Sequence, residues 1–175
     1  MTQKRYLFFI GSHRTGSKAM ASLANQIEGA SCIHQNRGHQ FINLLSNAYL
    51  NGVVPQSLFN ASINRLLLRR LQQNTKDCVV ETNGYNMVAL NQALEKLPNV
   101  RIIHVVRDPR SFVTSMTNWR SGRPVRNAIQ ENLPFWDVGP SLLKIPRSKW
   151  SSLTVKDKFC HRWVYKNNYL SLIHI

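Results

Sequence analysis

The sequence predicts a three-layer α/β fold, in which a central parallel sheet is flanked by helices. Four short apolar segments alternate along the chain with segments of helical periodicity. Each connection is long enough to cross over a sheet, as parallel strands require. A polar cluster follows each apolar segment, and ligands bind at this end of the strands in parallel sheets. With 175 residues, of which 43% are hydrophobic, we expect one domain over residues 1–175 with a sizeable core.

The four predicted strands differ in the strength of their patterns. Residues 6–10 are continuously apolar, as expected of a strand buried on both faces. Residues 30–33 form a short candidate strand that ends in a polar cluster. Residues 78–82 form the third strand, and residues 100–106 form the clearest one. Predicted helices follow each of these four strands along the chain.

The predicted helices have apolar residues three or four positions apart, which indicates one buried face. Gly52, Pro55 and Pro98 end helices, whereas Pro109 is suited to start one. The segment 120–149 is rich in Pro, Gly and Trp and is predicted to be irregular. The predicted helices are residues 17–26, 41–50, 58–73, 87–97, 109–119 and 154–172.

The chain is strongly basic. It has 23 Lys and Arg residues against 8 Asp and Glu residues, which gives a formal charge of +15 at pH 7. Such a surface attracts polyanions, including nucleic acid, an anionic membrane, a phosphorylated cofactor or an acidic polymer. No run of five or more basic residues occurs. This distribution favours a folded basic face or pocket over a disordered basic arm.

Three cysteines, Cys32, Cys78 and Cys160, are widely separated along the chain. Their number and spacing predict neither a zinc site nor a disulfide framework. Cys32 and Cys78 lie in apolar runs, so we expect buried free thiols and a reducing compartment. The apolar run 6–10 is too short for a signal-peptide core or a membrane span. We therefore expect a cytoplasmic protein.

The turn after the first strand reads Gly11-Ser-His-Arg-Thr-Gly16-Ser17-Lys18. Backbone N–H groups at the start of a helix bind phosphate or sulfate, and Gly16 lets the backbone approach such an anion closely. Arg14 and Lys18 add positive charge. The loop that binds nucleoside triphosphates in P-loop proteins has Lys directly after the second Gly and then a hydroxyl residue. Here the order is reversed, and Ser17 precedes Lys18. The turn predicts an anion site, with an ordinary strand-to-helix turn as the alternative.

A second motif follows the fourth predicted strand. Arg107 comes directly after the strand, and Ser115 lies about two turns into the helix that Pro109 starts. Arg107 and Ser115 reach a common anion if the strand end folds back over the helix. In the alternative interpretation, Arg107 and Asp108 form an ion pair, and Asp108 with Pro109 merely begins the helix.

Together, the two motifs resemble those of the sulfotransferase family. These enzymes transfer a sulfuryl group from 3′-phosphoadenosine 5′-phosphosulfate (PAPS) and share a parallel α/β fold similar to that of P-loop kinases. Their first signature is a Lys/Arg-Ser-Gly-Thr loop that binds the 5′-phosphosulfate, and it corresponds to Arg14-Thr15-Gly16-Ser17. Their second signature binds the 3′-phosphate and has Arg, Pro and Ser in the order and spacing of Arg107, Pro109 and Ser115.

The resemblance covers residues 6–119 in register and the helix 159–169 more loosely. It implies a P-loop-kinase-like sulfotransferase fold with PAPS as co-substrate and no metal. It also implies that Arg14 is catalytic, because a fixed cation stabilises the charge that develops when adenosine 3′,5′-bisphosphate leaves. The residues that it assigns to PAPS binding are Arg14, Thr15, Gly16, Ser17, Arg107 and Ser115, with Lys18 completing the loop.

The resemblance further implies a general base, commonly Glu or His, near the end of the second strand. His34 is the first candidate, because the ordinary pKa of histidine suits proton transfer near neutral pH; a hydrogen-bonded surface imidazole is its structural alternative. Glu81, at the end of the third strand, is the second candidate, and pairing with an arginine is its alternative. Arg37 and His39 are predicted to orient an anionic acceptor. His104, within the fourth strand, is predicted to be a hydrogen-bonded core residue.

The acceptor is expected to be a hydroxyl or amine on a carbohydrate, a protein or a small molecule. Arg120, Arg123 and Arg126 form either a solvated basic face or a surface for an anionic acceptor, such as a sulfated sugar or an acidic peptide. Members of the family continue past the helix 159–169 into another strand and a cofactor-covering loop. Neither is present in this sequence, so we expect the chain to be incomplete at its C-terminus.

Two other functions stay open at this point. The first is a nucleoside or nucleotide kinase that uses ATP and Mg²⁺, although the order Ser17-Lys18 disfavours it. The second is a non-enzymatic binder of nucleic acid or another polyanion, which only the charge supports. The sequence has none of the common nucleic-acid-binding motifs, so no specific nucleic-acid partner is expected.

Overall fold

A computed structural model of the chain describes residues 3–34, 38–123, 125, 128, 133 and 137–173, without the side chains of Tyr85, Asn86 and Ile173. Within this part of the chain, four parallel strands form one sheet in the order β2-β3-β1-β4. The predicted α/β fold is confirmed, and each predicted strand agrees with an observed one to within one residue at either end. The strands are β1 Arg5–Gly11, β2 Ala30–Ile33, β3 Cys78–Glu81 and β4 Val100–Val105.

Helices occupy the crossovers between the strands and the chain that follows β4. A π-helical segment, Asn64–Leu68, joins α3 to α4, and a 3₁₀ helix, Gly84–Ala89, precedes α5. The predicted helix 58–73 is thus helical throughout and the predicted helix 87–97 is helical up to Lys96, but neither is uniformly α-helical. The helices are α1 Ser17–Ala24, α2 His39–Leu50, α3 Gln56–Ile63, α4 Arg69–Gln73, α5 Leu90–Lys96, α6 Pro109–Ser121, α7 Pro140–Leu143, α8 Arg147–Ser152 and α9 Val155–Ile173.

The prediction that residues 120–149 are irregular is wrong for the part that the structure describes near their end. Helix α7 starts at Pro140, and α8 follows directly after Pro146. Proline lacks the N–H that a helix interior needs, but the first turn of a helix does not use that group. The prolines of this segment therefore start helices, whereas the sequence pattern suggested that they only break them.

Two apolar clusters hold the helices against the sheet. The larger one joins buried β1 side chains, including Phe8 and Ile10, to apolar side chains of α2, α3, α4 and α5. The second joins α6 to α9, where the rings of Phe112 and Phe159 meet edge to face with centroids 6.3 Å apart. Leu170 connects α9 to the larger cluster. Strand β1 is therefore anchored in the core, which fixes the position of the loop that leaves it.

The ends of β1, β3 and β4 approach each other closely at two glycines. A Cβ atom on Gly11 would lie 2.4 Å from the carbonyl oxygen of Val105, and one on Gly84 would lie 2.5 Å from the carbonyl oxygen of Gly11. Real Cβ atoms do not come so near to backbone oxygens, so only glycine fits at either position. These contacts bring the segments after three strands into one place.

The structure also bears on the predictions for membrane spans, for the cysteines and for two of the arginines. None of the described helices is both long and apolar enough to cross a membrane. The three cysteines are free, but Cys32 and Cys78 are half-buried, not fully buried as predicted, and Cys160 is exposed. Cys32 lies on an edge strand and Cys78 on the first residue of β3, so neither is enclosed. Arg37 and Arg126 lie outside the described residues.

Candidate functional site

A cavity of about 760 Å³ opens at the carboxyl ends of the strands, and its volume is typical of a small-molecule site. Residues that follow each of the four strands contribute to its wall. They are the loop 12–19 after β1, His34 after β2, the segment 82–84 after β3, and Arg107 after β4. The prediction that the polar clusters meet at this edge of the sheet is confirmed.

The loop between β1 and α1 has an unusual backbone. Arg14 has φ 66° and Gly16 has φ 85°, both in the left-handed region. A residue with a Cβ atom loses about 1–2 kcal/mol in this conformation, and such strain concentrates at functional sites. Gly16 occupies the N-cap position of α1, where it has no side chain that could cap the first turn. The N–H groups at the start of this helix are therefore suited to an anionic ligand.

Arg14 is the point at which the two sequence motifs meet. Its Nε donates to Ser115 Oγ at 3.1 Å, and its carbonyl oxygen accepts from Arg107 Nη1 at 2.7 Å. These contacts join residues 101 and 93 positions apart in the sequence. Arg14 therefore lies next to both Arg107 and Ser115, the two residues that the second motif expects to share one anion.

The backbone around Arg107 is fixed independently of its guanidinium. Asp108 caps α6 by accepting the Ser111 N–H at 3.0 Å, and it pairs with Arg110 at 3.2 Å. The backbone hydrogen bond from Ser111 and the contact with Arg110 lower the pKa of the Asp108 carboxyl. The indole of Trp163 in α9 donates to the Arg107 carbonyl at 3.0 Å. Asp108 begins the helix as predicted, but its described partner is Arg110, not Arg107.

His34 is half-buried on the cavity wall and is oriented by Thr82. Its Nδ1 lies 2.9 Å from Thr82 Oγ1, and Thr82 is fully buried. Burial lowers the pKa of the His34 imidazole, and this effect exceeds the opposing effect of the nearby Glu81 carboxylate. The imidazole is therefore neutral at neutral pH and able to accept a proton. The structure thus gives His34 the form that a general base needs.

Glu81 lies beneath the cavity, and its carboxylate is fully buried. It accepts from Arg70 Nη2 at 3.2 Å and from the Asn83 N–H at 3.2 Å, and it lies 3.5 Å from His39 Nε2. The arginine pairing that was the structural alternative for Glu81 is thus present. His39 is also buried, against Glu81, and neither residue is among the described residues that line the cavity.

The other predicted residues are found where their segments place them. Thr15, Ser17 and Lys18 line the cavity, and the Lys18 side chain belongs to an exposed residue of α1. His104 is half-buried and its Nε2 lies 3.1 Å from Asn167 Oδ1, so it is hydrogen-bonded as predicted although it is not fully enclosed.

Several lining residues were not predicted from the sequence as site residues. They include His13 in the first loop, Asn83 after β3, and Trp119 on α6. The guanidinium of Arg123 lies over the Trp119 ring, 4.4 Å from the ring centroid, which is a cation–π arrangement. His13 and Asn83 stood next to predicted residues, so their positions after strand ends were the available signal.

The cavity wall is cationic. Arg14, Lys18 and Arg107 lie on it, and none of its described residues is an aspartate or a glutamate. Across the described part of the chain, no group of three or more His, Cys, Asp or Glu side chains is placed to hold a metal ion. Fixed cations and helix N–H groups around one cavity suit a ligand with several negative charges.

The fold and the site together are typical of one class of protein. A parallel sheet, a glycine-containing anion loop between β1 and α1, and a second cationic strand end are features of α/β proteins that bind phosphorylated ligands. A family model for a sulfotransferase domain matches residues 7–170, which is nearly the whole chain. The chain therefore belongs to the sulfotransferase domain family. A comparison with curated proteins found no match.

Proposed function

We propose that the chain transfers a sulfuryl group from PAPS to a hydroxyl or amine acceptor. The observation that carries this proposal is the contact of Arg14 with both Arg107 and Ser115. It joins the loop suited to the 5′-phosphosulfate with the two residues suited to the 3′-phosphate. Membership of the sulfotransferase domain family supports the same activity.

Arg14 and the start of α1 are the groups that would hold the phosphosulfate. PAPS supplies an activated sulfuryl group, whose transfer leaves negative charge on the bridging oxygen. Backbone N–H groups from Gly16 onward, the hydroxyls of Thr15 and Ser17, and the guanidinium of Arg14 are donors around this position. Because these donors are fixed by the fold beforehand, they stabilise the developing charge without reorganisation.

Arg107 and Ser115 would hold the 3′-phosphate. Arginine binds phosphate through two N–H groups at once, and Arg107 uses Nη1 for the Arg14 carbonyl at 2.7 Å. Arg107 also lines the cavity. This assignment predicts that a 3′-phosphate on the ligand raises the affinity of the chain for that ligand. A 5′-diphosphate without a 3′-phosphate should not have this effect.

His34 is our proposed general base. It is neutral, it lines the cavity, and Thr82 orients its ring. Its position is thus suited to removing a proton from an acceptor hydroxyl or amine. Glu81 stays a second candidate, although its carboxylate is already occupied by Arg70 and the Asn83 N–H.

The proposed acceptor is anionic and belongs to a carbohydrate, a protein or a small molecule. Lys18 is exposed on the cavity wall, and Arg123 lies over Trp119 at its edge. These cations are in addition to Arg14 and Arg107, which the donor occupies. They would attract a sulfate, carboxylate or phosphate on the acceptor.

The proposal is tested by calorimetry with adenosine 3′,5′-bisphosphate and ADP, each with and without Mg²⁺. We expect the bisphosphate to bind more tightly than ADP, and its affinity to be independent of Mg²⁺. Arg107→Ala and Arg14→Ala should each weaken its binding by about tenfold or more, the effect of losing a hydrogen bond to a charged group. The matched control is Arg110→Ala, because Arg110 lies close in sequence but its side chain is 91% exposed.

Three outcomes would count against this function. Equal affinity for ADP and the bisphosphate would remove the role of Arg107 and Ser115. Tight ATP binding that requires Mg²⁺ would favour a kinase. Binding of generic DNA that falls steeply with salt, without a preference for a 3′-phosphate, would favour a polyanion binder.

A further inference from the structure

The two ends of the cavity are lined by different chemical groups. Arg107 follows β4 and His34 follows β2, and these are the two outer strands of the described sheet. Neighbouring strands lie about 4.8 Å apart, so the ends of the two outer strands are separated by roughly 14 Å. On the proposed function, the 3′-phosphate of the donor lies at the β4 end, and the acceptor meets the base at the β2 end.

Lys18 belongs to the β2 side of the cavity wall. It is the second residue of α1, and this helix packs against β2 and β3. Its side chain is exposed and has no hydrogen-bond or ion-pair partner within the part of the chain that the structure describes. By contrast, Arg107 donates to the Arg14 carbonyl, and Arg14 donates to Ser115. Lys18 is therefore a cation that is available to a ligand.

The charge of Lys18 acts on the imidazole of His34. Burial is the main cause that lowers the pKa of His34, and Lys18 lowers this pKa further because a nearby cation opposes protonation. Glu81 raises the same pKa, and His39 lowers it. Glu81 and His39 are both buried and neither is among the described residues that line the cavity. Of these three groups, Lys18 is thus the one that can contact a ligand lying against His34.

We propose that Lys18 is a specificity-determining residue, which binds a carboxylate, sulfate or phosphate close to the attacking hydroxyl or amine of the acceptor. The assignment of this ligand as the acceptor rests on the proposed function. A lysine ammonium has three donors and no acceptor, and it is a compact charge on a flexible side chain. It therefore recognises the charge of the anion more than its shape. The expected acceptors have an anionic group near the atom that attacks sulfur.

An anion bound to Lys18 would also make His34 a stronger base. The anion compensates the cation that lowers the pKa of His34, and its own charge favours the protonated imidazole. The pKa of His34 should therefore rise when an anionic acceptor binds, whereas a neutral acceptor has no such effect. Recognition of the acceptor and removal of its proton are thus coupled through Lys18.

The test uses three pairs of ligands, in each of which a neutral group replaces a carboxylate. They are methyl glucuronide and methyl glucoside, meta-hydroxybenzoate and meta-hydroxybenzamide, and the dipeptides Asp-Tyr and Asn-Tyr. Binding is followed by the NMR resonances of the His34 imidazole, with and without adenosine 3′,5′-bisphosphate, so the measurement needs no turnover. In at least one pair, the wild-type chain should bind the carboxylate about tenfold or more tightly, the effect of a hydrogen bond to a charged group. The pair that shows this preference distinguishes a sugar, a phenol and a peptide.

Four variants test whether the preference depends on Lys18. Lys18→Arg keeps the charge and should retain the preference, Lys18→Met should abolish it, and Lys18→Glu should reverse it in favour of the neutral ligand. Lys156→Glu is the matched control and should retain it, because Lys156 is exposed on α9 and is not among the described residues of the cavity wall. In the ligand-free chain, the pKa of His34 should rise in Lys18→Met and rise further in Lys18→Glu.

The proposal is overturned if the preference persists in Lys18→Met, or if the wild-type chain shows no preference in any pair. A persistent preference together with a loss of bisphosphate affinity would assign Lys18 to the donor instead. A pKa of His34 that is the same in Lys18→Glu as in the wild-type chain would separate Lys18 from the base and also overturn the proposal. If the preference depends on Lys18 but no sulfuryl group is transferred from PAPS, the recognition of an anion by Lys18 stands and the proposed function is wrong.

Discussion

Arg14 combines a strained backbone with a proposed catalytic side chain, so two substitutions at this position separate the two roles. At φ 66°, a residue with a Cβ atom loses about 1–2 kcal/mol that glycine does not. Glycine in turn loses about 0.4–1 kcal/mol more entropy on folding than alanine. The difference leaves Arg14→Gly more stable than Arg14→Ala by roughly 0.5–1 kcal/mol. Both variants lack the hydrogen bond to Ser115, so that loss cancels between them.

The comparison is made by urea denaturation and by thermal unfolding. A difference of about 1 kcal/mol corresponds to a melting temperature that is about 2–4 °C higher for the glycine variant in a chain of this size. Calorimetry should show that both variants have lost affinity for adenosine 3′,5′-bisphosphate to the same extent, because both lack the guanidinium. The reasoning is refuted if alanine is as stable as glycine, or if either variant binds the ligand as the wild-type chain does.

Three further predictions concern the base and the strand ends. His34→Gln should lower kcat by about 10²–10⁴ without changing bisphosphate affinity; in the wild-type chain, activity should fall toward acid pH only below the ordinary pKa range of histidine, because protonation removes the base. Glu81→Gln should destabilise the chain by about 1–3 kcal/mol, since a partly buried Arg70 loses its partner; a large loss of kcat at unchanged stability would instead make Glu81 the base. Gly84→Ala should cost about 1–3 kcal/mol in urea denaturation, because its Cβ meets the Gly11 carbonyl at 2.5 Å; wild-type stability would contradict this close approach.

Much of the fold was predictable because the relevant signals are local. An uninterrupted apolar run such as 6–10 is typical of a strand in a parallel sheet that helices cover. In the structure one face of this strand is buried through Tyr6, Phe8 and Ile10, and the other is half-buried through Leu7 and Phe9. The same holds for the two sequence motifs. Arg14 lies in the loop after β1 and Arg107 in the segment after β4, and the carboxyl ends of parallel strands meet at one edge of the sheet. Their contact through Arg14 therefore follows from topology.

Other features depend on contacts that no local pattern contains. The contact between Lys166 Nζ and His13 Nδ1 joins residues 153 positions apart. It depends on how two distant side chains are oriented in the folded chain. Glu81 was a candidate base because it ends a strand, but the side chain of a strand residue points to one face or the other. In the structure it faces Arg70 and His39, below the cavity.

The most direct measurement of the central claim is transfer of radiosulfur from labelled PAPS in the presence of a metal chelator. The acceptors would be carbohydrates, peptides and phenols, with anionic and neutral members of each class. We predict labelled acceptor together with an equal amount of adenosine 3′,5′-bisphosphate. The activity should be lost in Arg107→Ala and retained in Arg110→Ala. PAPS that stays intact with every class of acceptor, while the chain transfers phosphate from ATP and Mg²⁺, would contradict the account.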